Sequence, residues 1–304
     1  MLRTAKYAAA VLLAVVVGVT GVIAQEEKPE EDPYKWRKNL VVDFTAAQSA
    51  YSDSWTGGEA GSFSWVGNLN GNARKQLNEW FSYKGQLKLS FGQTVTQDEE
   101  TNKWSKPQKS TDLIDWENVG LFLIGAHVDP YVAFRLETQF LDASVEAKDR
   151  YLSPMKLTES AGLSHRFYEM GDDHVTARVG GAVRQIITQD IIDMTTYETE
   201  TNTETSAGLE LVADAILSFH DNLQYTGKLT LFQGFYDSQS DETEGTVSED
   251  DWKVVDVNWE NIVTAQITKI IAVNFYTQIL YDKQVIDKAR FKETLGIGFL
   301  FKLI

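Results

Sequence analysis

Four histidines, His127, His165, His174 and His220, are the first residues to weigh as catalysts or metal ligands. None stands in the His-Glu-x-x-His spacing that sets two imidazoles around zinc on one helical face. The chain has no cysteine, which removes thiolate zinc sites, disulfides and a thiol nucleophile. Gly296 and Gly298 lie in a strand-like pattern with no helix after them, so they do not form a nucleotide-binding turn. No Gly-x-Ser-x-Gly elbow occurs. One pair has the chemistry for ester hydrolysis. Ser218 and His220 stand two residues apart, on one face of a strand, with Asp221 and Asn222 following.

Carboxylates cluster twice. The run 237–251 carries seven, and the stretch holding Asp190, Asp193, Glu198, Glu200 and Glu204 carries five; neither contains a cation. Such oxygens suit Ca²⁺ or Mg²⁺. The calcium-hand spacing fails, because no glycine stands at its sixth position. The runs therefore read as solvated, self-repelling loops, with nonspecific divalent bridging to anionic lipopolysaccharide as the softer alternative. No metal site and no cofactor are predicted. The net charge of -16 argues against a nucleic-acid partner, which would need a basic face.

The N-terminus reads as a targeting segment. Arg3 and Lys6 precede a stretch without charge from Tyr7 to Ala24, and Val22 and Ala24 suit a small-residue cleavage site before Gln25. An uncleaved anchor is the competing reading, since such a stretch can just span a bilayer. Residues 1–24 are assigned to a signal peptide, 25–35 to an acidic flexible tail and 36–304 to the folded domain.

From Trp36 onward the dominant period is two. Leu40, Val42, Phe44 and Ala46 alternate with Asp43 and Thr45; Leu87, Leu89 and Phe91 alternate with Lys84, Gln86, Lys88 and Ser90. Ten further segments follow suit, near 63–70, 113–127, 132–140, 157–167, 175–187, 207–219, 223–235, 255–267, 273–281 and 291–303. Period two places one set of side chains on each face of a sheet. A soluble β-protein would turn the apolar set inward; a membrane barrel would turn it to lipid.

Four features favour the membrane barrel. The connections alternate long (48–60, 97–110, 142–156, 190–205, 237–251, 283–289) and short, as loops and turns of outer-membrane barrels do. Twelve is even, which puts both ends of the domain on the short-turn, periplasmic side. Pro29, Pro33, Pro107, Pro130 and Pro154 fall outside the segments, as a closed ladder requires. The last segment ends on Phe299, Phe301 and Leu303 facing one way, similar to the C-terminal signal by which the barrel-assembly machinery takes up outer-membrane proteins. Aromatics near segment ends, such as Trp80, Tyr131, Phe167, Phe219 and Tyr281, suit two interfacial girdles.

Tyr51-Ser-Asp-Ser-Trp55-Thr-Gly57-Gly58-Glu59, then Leu77-Asn-Glu-Trp80, Leu89-Ser-Phe-Gly92, Lys109-Ser-Thr-Asp112 and Arg135-Leu-Glu-Thr-Gln139-Phe140 follow one another in an order that resembles an uncharacterised outer-membrane β-barrel family of Gram-negative bacteria. The shared elements are Trp-x-Gly-Gly and Lys-Ser/Thr-x-Asp. The C-terminal stretch from Trp259 to Phe299 is also similar to the salt-induced outer-membrane protein family. Both resemblances imply an outer-membrane barrel, and neither implies a reaction or a cargo.

If the apolar rows face lipid, the charged rows face a lumen. Those rows supply Asp43, Lys84, Lys88, Arg135, Glu137, Arg166, Arg178, Arg184, Glu210, Asp214, Lys228, Asp256, Glu260 and Lys292, in both signs. A Lys or Arg at mid-bilayer costs about 2–4 kcal/mol, so the polar set must face inward if the chain spans. Twelve strands lie between the filled eight-stranded barrel and the open sixteen-stranded channel. The expectation is an all-β, twelve-stranded outer-membrane barrel acting as a narrow passive pore or a membrane-structural protein, with lipid and lipopolysaccharide as its surroundings. A lipid-acting hydrolase built on Ser218 and a soluble secreted β-protein are the alternatives.

Overall fold

A computed structural model describes residues 32–51, 60–98, 101–145, 147–246 and 248–302. The signal peptide, residues 25–31 of the acidic tail, and Trp55, Gly57, Gly58 and Glu59 lie outside the described residues.

Fourteen strands follow in order: β1 (Arg37–Ser49), β2 (Ser62–Asn78), β3 (Phe81–Thr96), β4 (Gln108–Phe122), β5 (Asp129–Thr138), β6 (Leu141–Asp142), β7 (Arg150–Tyr151), β8 (Met155–Met170), β9 (Asp173–Ile191), β10 (Thr199–His220), β11 (Leu223–Asp237), β12 (Asp256–Gln266), β13 (Ile271–Asp282) and β14 (Ile286–Lys302). Twelve close into an antiparallel barrel in the order β1-β14-β13-β12-β11-β10-β9-β8-β5-β4-β3-β2. The other two, β6 and β7, form a small hairpin in the connection between β5 and β8. Each of the twelve alternating segments has become one barrel strand.

The strands outrun the alternation. β2 continues through Arg74 to Asn78, past the alternating segment near 63–70, because backbone pairing with β3 persists that far. β9 and β10 stay paired out to Ile191 and Thr199, which leaves 192–198 as the loop in place of 190–205. The connection expected at 283–289 shrinks to 283–285. The contrast between long and short ends is therefore weaker than the polarity of the sequence suggests. Charged and Thr-rich stretches extend as strand when a neighbour offers a ladder. Pro130 also lies within β5, next to its first residue, where only β8 pairs with it, a place that spares the missing N–H.

Register fixes which side chains face in. Lys88 pairs with Asp115, Glu117 with Arg135, Arg135 with Thr158, Arg184 with Ser206 and Lys228 with Glu260, all on the inner face. Their relative exposures are small: Glu117 4%, Lys228 6% and Arg135 7%. The apolar rows look out, with Phe219 65%, Phe235 68% and Leu295 69% exposed. This inverts the distribution of a soluble protein, in which charges are outside.

The barrel closes least completely at its seam. β1 and β14 pair only from Val41–Thr45 to Gly298–Lys302. β1 pairs with β2 along its whole length, and β14 pairs with β13 from Ile286 to Phe299. Above Thr45 the two strands part.

Candidate functional site

The lumen is the site, and ion pairs cross it. Lys88 Nζ on β3 lies 3.0 Å from Glu260 Oε2 on β12. Lys228 Nζ on β11 lies 2.8 Å from Glu117 Oε2 on β4, and Arg178 on β9 holds the other oxygen of Glu117. Arg184 Nη1 reaches Asp256 Oδ2 at 2.6 Å. None of these pairs joins neighbouring strands, so each is a chord through the barrel. Around the wall, Arg135 donates two hydrogen bonds to Asp115 at 2.9 Å and pairs with Glu137 at 3.0 Å; Lys156 reaches Glu137 at 3.4 Å. Fork-like donation of this kind fixes orientation as well as charge. Two aromatic rings pack against the guanidinium groups, Tyr131 against Arg178 at 5.7 Å and Phe232 against Arg184 at 3.8 Å.

The remaining charged positions fall as follows. Asp43 accepts a hydrogen bond from Asn68 at 2.7 Å. Glu210 is buried within electrostatic reach of Arg178, and Asp214 within reach of Lys84. Lys292 Nζ lies 3.4 Å from Thr111 Oγ1, across the lumen. Arg166 is exposed at the short-turn rim, where it pairs with Glu169 away from the central lumen. At the same rim Arg74 reaches from β2 to the Gly171 carbonyl at 3.0 Å and to Asp172 at 3.4 Å, tying opposite sides of the mouth together.

Alternation picks out Glu260 but passes over Asp115 and Glu117, which are as buried and as central. The signal that finds them is an internal repeat. Trp116-Glu117-Asn118 recurs as Trp259-Glu260-Asn261, and Tyr83-x-Gly85-x-Leu87-x-Leu89 as Tyr225-x-Gly227-x-Leu229-x-Leu231. Thr138-Gln139-x-Leu141 recurs as Thr277-Gln278-x-Leu280, and Lys156-x-Thr158 with Gly162 as Lys292-x-Thr294 with Gly298. The repeated runs occupy β3, β4, β5 and β8 in one half and β11, β12, β13 and β14 in the other. Matching strands sit opposite each other in the barrel. The glutamate of each half takes the lysine of the other.

The repeat extends to the outer wall. Tyr83 donates its hydroxyl to Asn118 Oδ1 at 2.6 Å, and Tyr225 donates to Asn261 Oδ1 at 2.7 Å. In both places the asparagine is the register partner of a glycine, Gly85 or Gly227, over which the tyrosine ring lies. An amide facing outward is thereby satisfied beneath an aromatic cover. Two carboxylates on the outward face lack such cover: Glu159 on β8 and Glu293 on β14, both exposed. They are exceptions to the rule that charged rows face in.

Lys109 and Asp112 of the family element brace a loop. Asp112 accepts from the backbone N–H of Phe140 at 2.7 Å and of Leu141 at 3.0 Å. Lys109 Nζ donates to Asp112 at 3.2 Å, to Gln139 Oε1 at 2.6 Å and to the Leu141 carbonyl. The pair fastens the β6–β7 hairpin, itself closed by Arg150–Asp142 at 2.6 Å, to the wall.

The hydrolase arrangement is not assembled. Ser218 Oγ donates to Asp173 Oδ1 at 2.8 Å, and His220 Nδ1 faces Asn222 Oδ1 at 3.0 Å. Serine and histidine serve separate turn contacts. The acidic loop is also less solvated than its composition suggests. Asp237 is buried, whereas Asp250 stays exposed and pairs with Lys253 at 2.6 Å. Asp251 takes Lys283 at 2.6 Å, a hydrogen bond that holds the lysine above its ordinary pKa. The backbone N–H groups of Thr195 and Thr196 hold Asp193 below the usual carboxylate value. Among the described residues no cluster of three or more His, Asp or Glu has metal-holding geometry.

Residues 46–143 match the model of a family described as "Protein of unknown function (DUF3078)". Lys109, Asp112 and the Arg135–Phe140 run lie inside the match, which ends before the stretch similar to the salt-induced family. No curated protein matches the chain. Among solved structures the chain is similar to an outer membrane channel from Pseudomonas putida F1, at 12% identity over 92% of this chain and 100% of the other, with a TM-score of 0.43. It is also similar to the translocator domain of the autotransporter NalP from Neisseria meningitidis, at 9% identity over 98% of each chain, with a TM-score of 0.37.

Proposed function

We propose that the chain is an outer-membrane β-barrel whose lumen is locked by reciprocal salt bridges, a membrane-structural protein and not an open passive pore. One observation carries this reading: the charged side chains that span the lumen are almost inaccessible, while the apolar rows are bare on the outside. Bare apolar rows suit hydrocarbon. Chords between opposite strands set charged side chains across the axis that an ion would have to follow. A soluble protein with this wall would expose an apolar belt far larger than monomers tolerate.

The test is conductance in planar bilayers of the heat-modifiable, folded protein. The wild type is expected to be silent. Replacing both chord glutamates, Glu117→Gln with Glu260→Gln, frees Lys88 and Lys228 and should produce anion-selective current. Steady open-channel current from the wild type would sink the locked reading and restore the narrow pore.

A further inference from the structure

The seam between β1 and β14 is a slot. Val41–Thr45 are zipped to Gly298–Lys302, but among the described residues Ala46–Ser49 pair only with β2, and Arg290–Ile297 only with β13. The slot runs toward the β13–β14 turn, and residues 286–295 of β14 are all exposed, including the inward-facing Lys292 and Thr294. In hydrocarbon an unpaired strand edge leaves N–H and C=O groups unsatisfied at several kcal/mol each. Such an edge is tolerable where it borders a polar cavity or a bound molecule.

The two lips differ in chemistry. Outside stand Phe291, Leu295 and Ile297, each at least 64% exposed. Inside, Lys292 extends across the back of the slot to Thr111 and to the ring of Tyr276 at 6.0 Å, and Ser64 and Thr94 share a hydrogen bond at 2.9 Å. Luminal Lys88, Lys156 and Lys228 each have a carboxylate within 4.0 Å; among the described residues Lys292 has none. The slot therefore offers, on its inner side, hydroxyls and an ammonium with no carboxylate at contact distance, Glu260 acting on it only from farther off, and on its outer side an apolar surface. Glu293, on the outer lip, repels an anion there and favours one within.

We propose that the β1–β14 slot is a lateral binding site for an anionic amphiphile, with its head on Lys292 and its acyl chain leaving between the strands along Phe291, Leu295 and Ile297. The shared chemistry is a carboxylate or phosphate on an acyl chain, which a free fatty acid and a phospholipid both supply. The salt-bridge lock turns the space behind the slot into a dead end, so the head docks and does not cross. The site rests on the reading that this wall faces lipid.

The experiment uses the full chain in detergent micelles, titrated with cis-parinarate, a fluorescent acyl carboxylate, and with its uncharged methyl ester. Parinarate should bind saturably, and the ester roughly tenfold more weakly, as loss of one charged contact implies. Lys292→Met should weaken parinarate by a similar factor, and Lys292→Arg should restore it. Ala47→Trp, on the β1 lip, should weaken acid and ester alike by filling the slot. Displacement by phosphatidylglycerol assigns the site to phospholipid; displacement by palmitate alone assigns it to free fatty acid. Equal affinity of wild type and Lys292→Met, or of acid and ester, overturns the proposal. Heat-modifiability of each variant confirms folding. Carbonate extraction of membranes scores lipid insertion separately, so failure of the site and failure of the membrane reading are told apart.

Discussion

Lys228 on β11 places its ammonium 2.8 Å from Glu117 on β4, on the far side of the barrel, and both residues are almost completely buried. Glu117 also holds Arg178, so one carboxylate answers two cations. Removing a partner from a buried ion pair is costly because the remaining charge has nowhere to go. Glu117→Gln should therefore destabilise the folded barrel by about 3–5 kcal/mol. Adding Lys228→Met to that variant should recover part of the loss. Denaturant midpoints in micelles measure both, and strictly additive effects would show that the pair is not coupled.

The tyrosine clasps on the outer wall should behave as twins. Tyr83→Phe and Tyr225→Phe each leave an outward asparagine without its donor. Hydrogen bonds in a membrane setting are worth about 0.6 kcal/mol on average and up to about 1.7. Each variant should fall in that range, with similar values. A large loss at one position and none at the other would contradict equivalent surroundings for the two halves.

Two glycines that face each other inside the wall are predicted to resist substitution. Gly162 and Gly180 are register partners on β8 and β9. A Cβ on Gly162 would sit 2.1 Å from the Val179 carbonyl oxygen, and one on Gly180 would sit 2.2 Å from that of Ala161. Backbone cannot yield as a side chain does. Next to them, a Cβ on Gly181 meets nothing within 4 Å. Gly181→Ala should stay within about 0.5 kcal/mol of wild type, whereas Gly162→Ala and Gly180→Ala should reduce the yield of heat-modifiable barrel. Equal yields for all three would refute the close approach.

Asp112 is expected to govern loop order and not barrel stability. Asp112→Ala removes the acceptor for two backbone N–H groups and the partner of Lys109. Limited proteolysis should then cut within 139–154 while the unfolding midpoint moves little. Protection equal to wild type would mean that the hairpin is held by Arg150 and Asp142 alone.

Strand number and facing were legible because period two is a local property. Leu87, Leu89 and Phe91 against Lys84 and Lys88 state which face is greasy without reference to anything distant. Strand ends were less legible: Arg74, Thr188 and Thr203 are polar, yet remain in ladders because a neighbour supplies hydrogen bonds. The chords were not legible at all, since Lys88 and Glu260 are brought together only by closure. Glu117 could have been inferred by matching Trp116-Glu117-Asn118 to Trp259-Glu260-Asn261, a comparison that alternation never makes. Ser218 and His220, the basis of the hydrolase alternative, do not come together because nearness along a strand does not set side-chain direction at a bulge, and the ladder shifts between those residues.

Neither half of this polypeptide quenches its own glutamate with its own lysine; each borrows from across the barrel. A lone six-stranded unit would be an open sheet, and meeting a second copy would neutralise both at once. Joining the two units in one chain makes that encounter intramolecular, so that charge balance favours closure and disfavours a half-built barrel left in the bilayer.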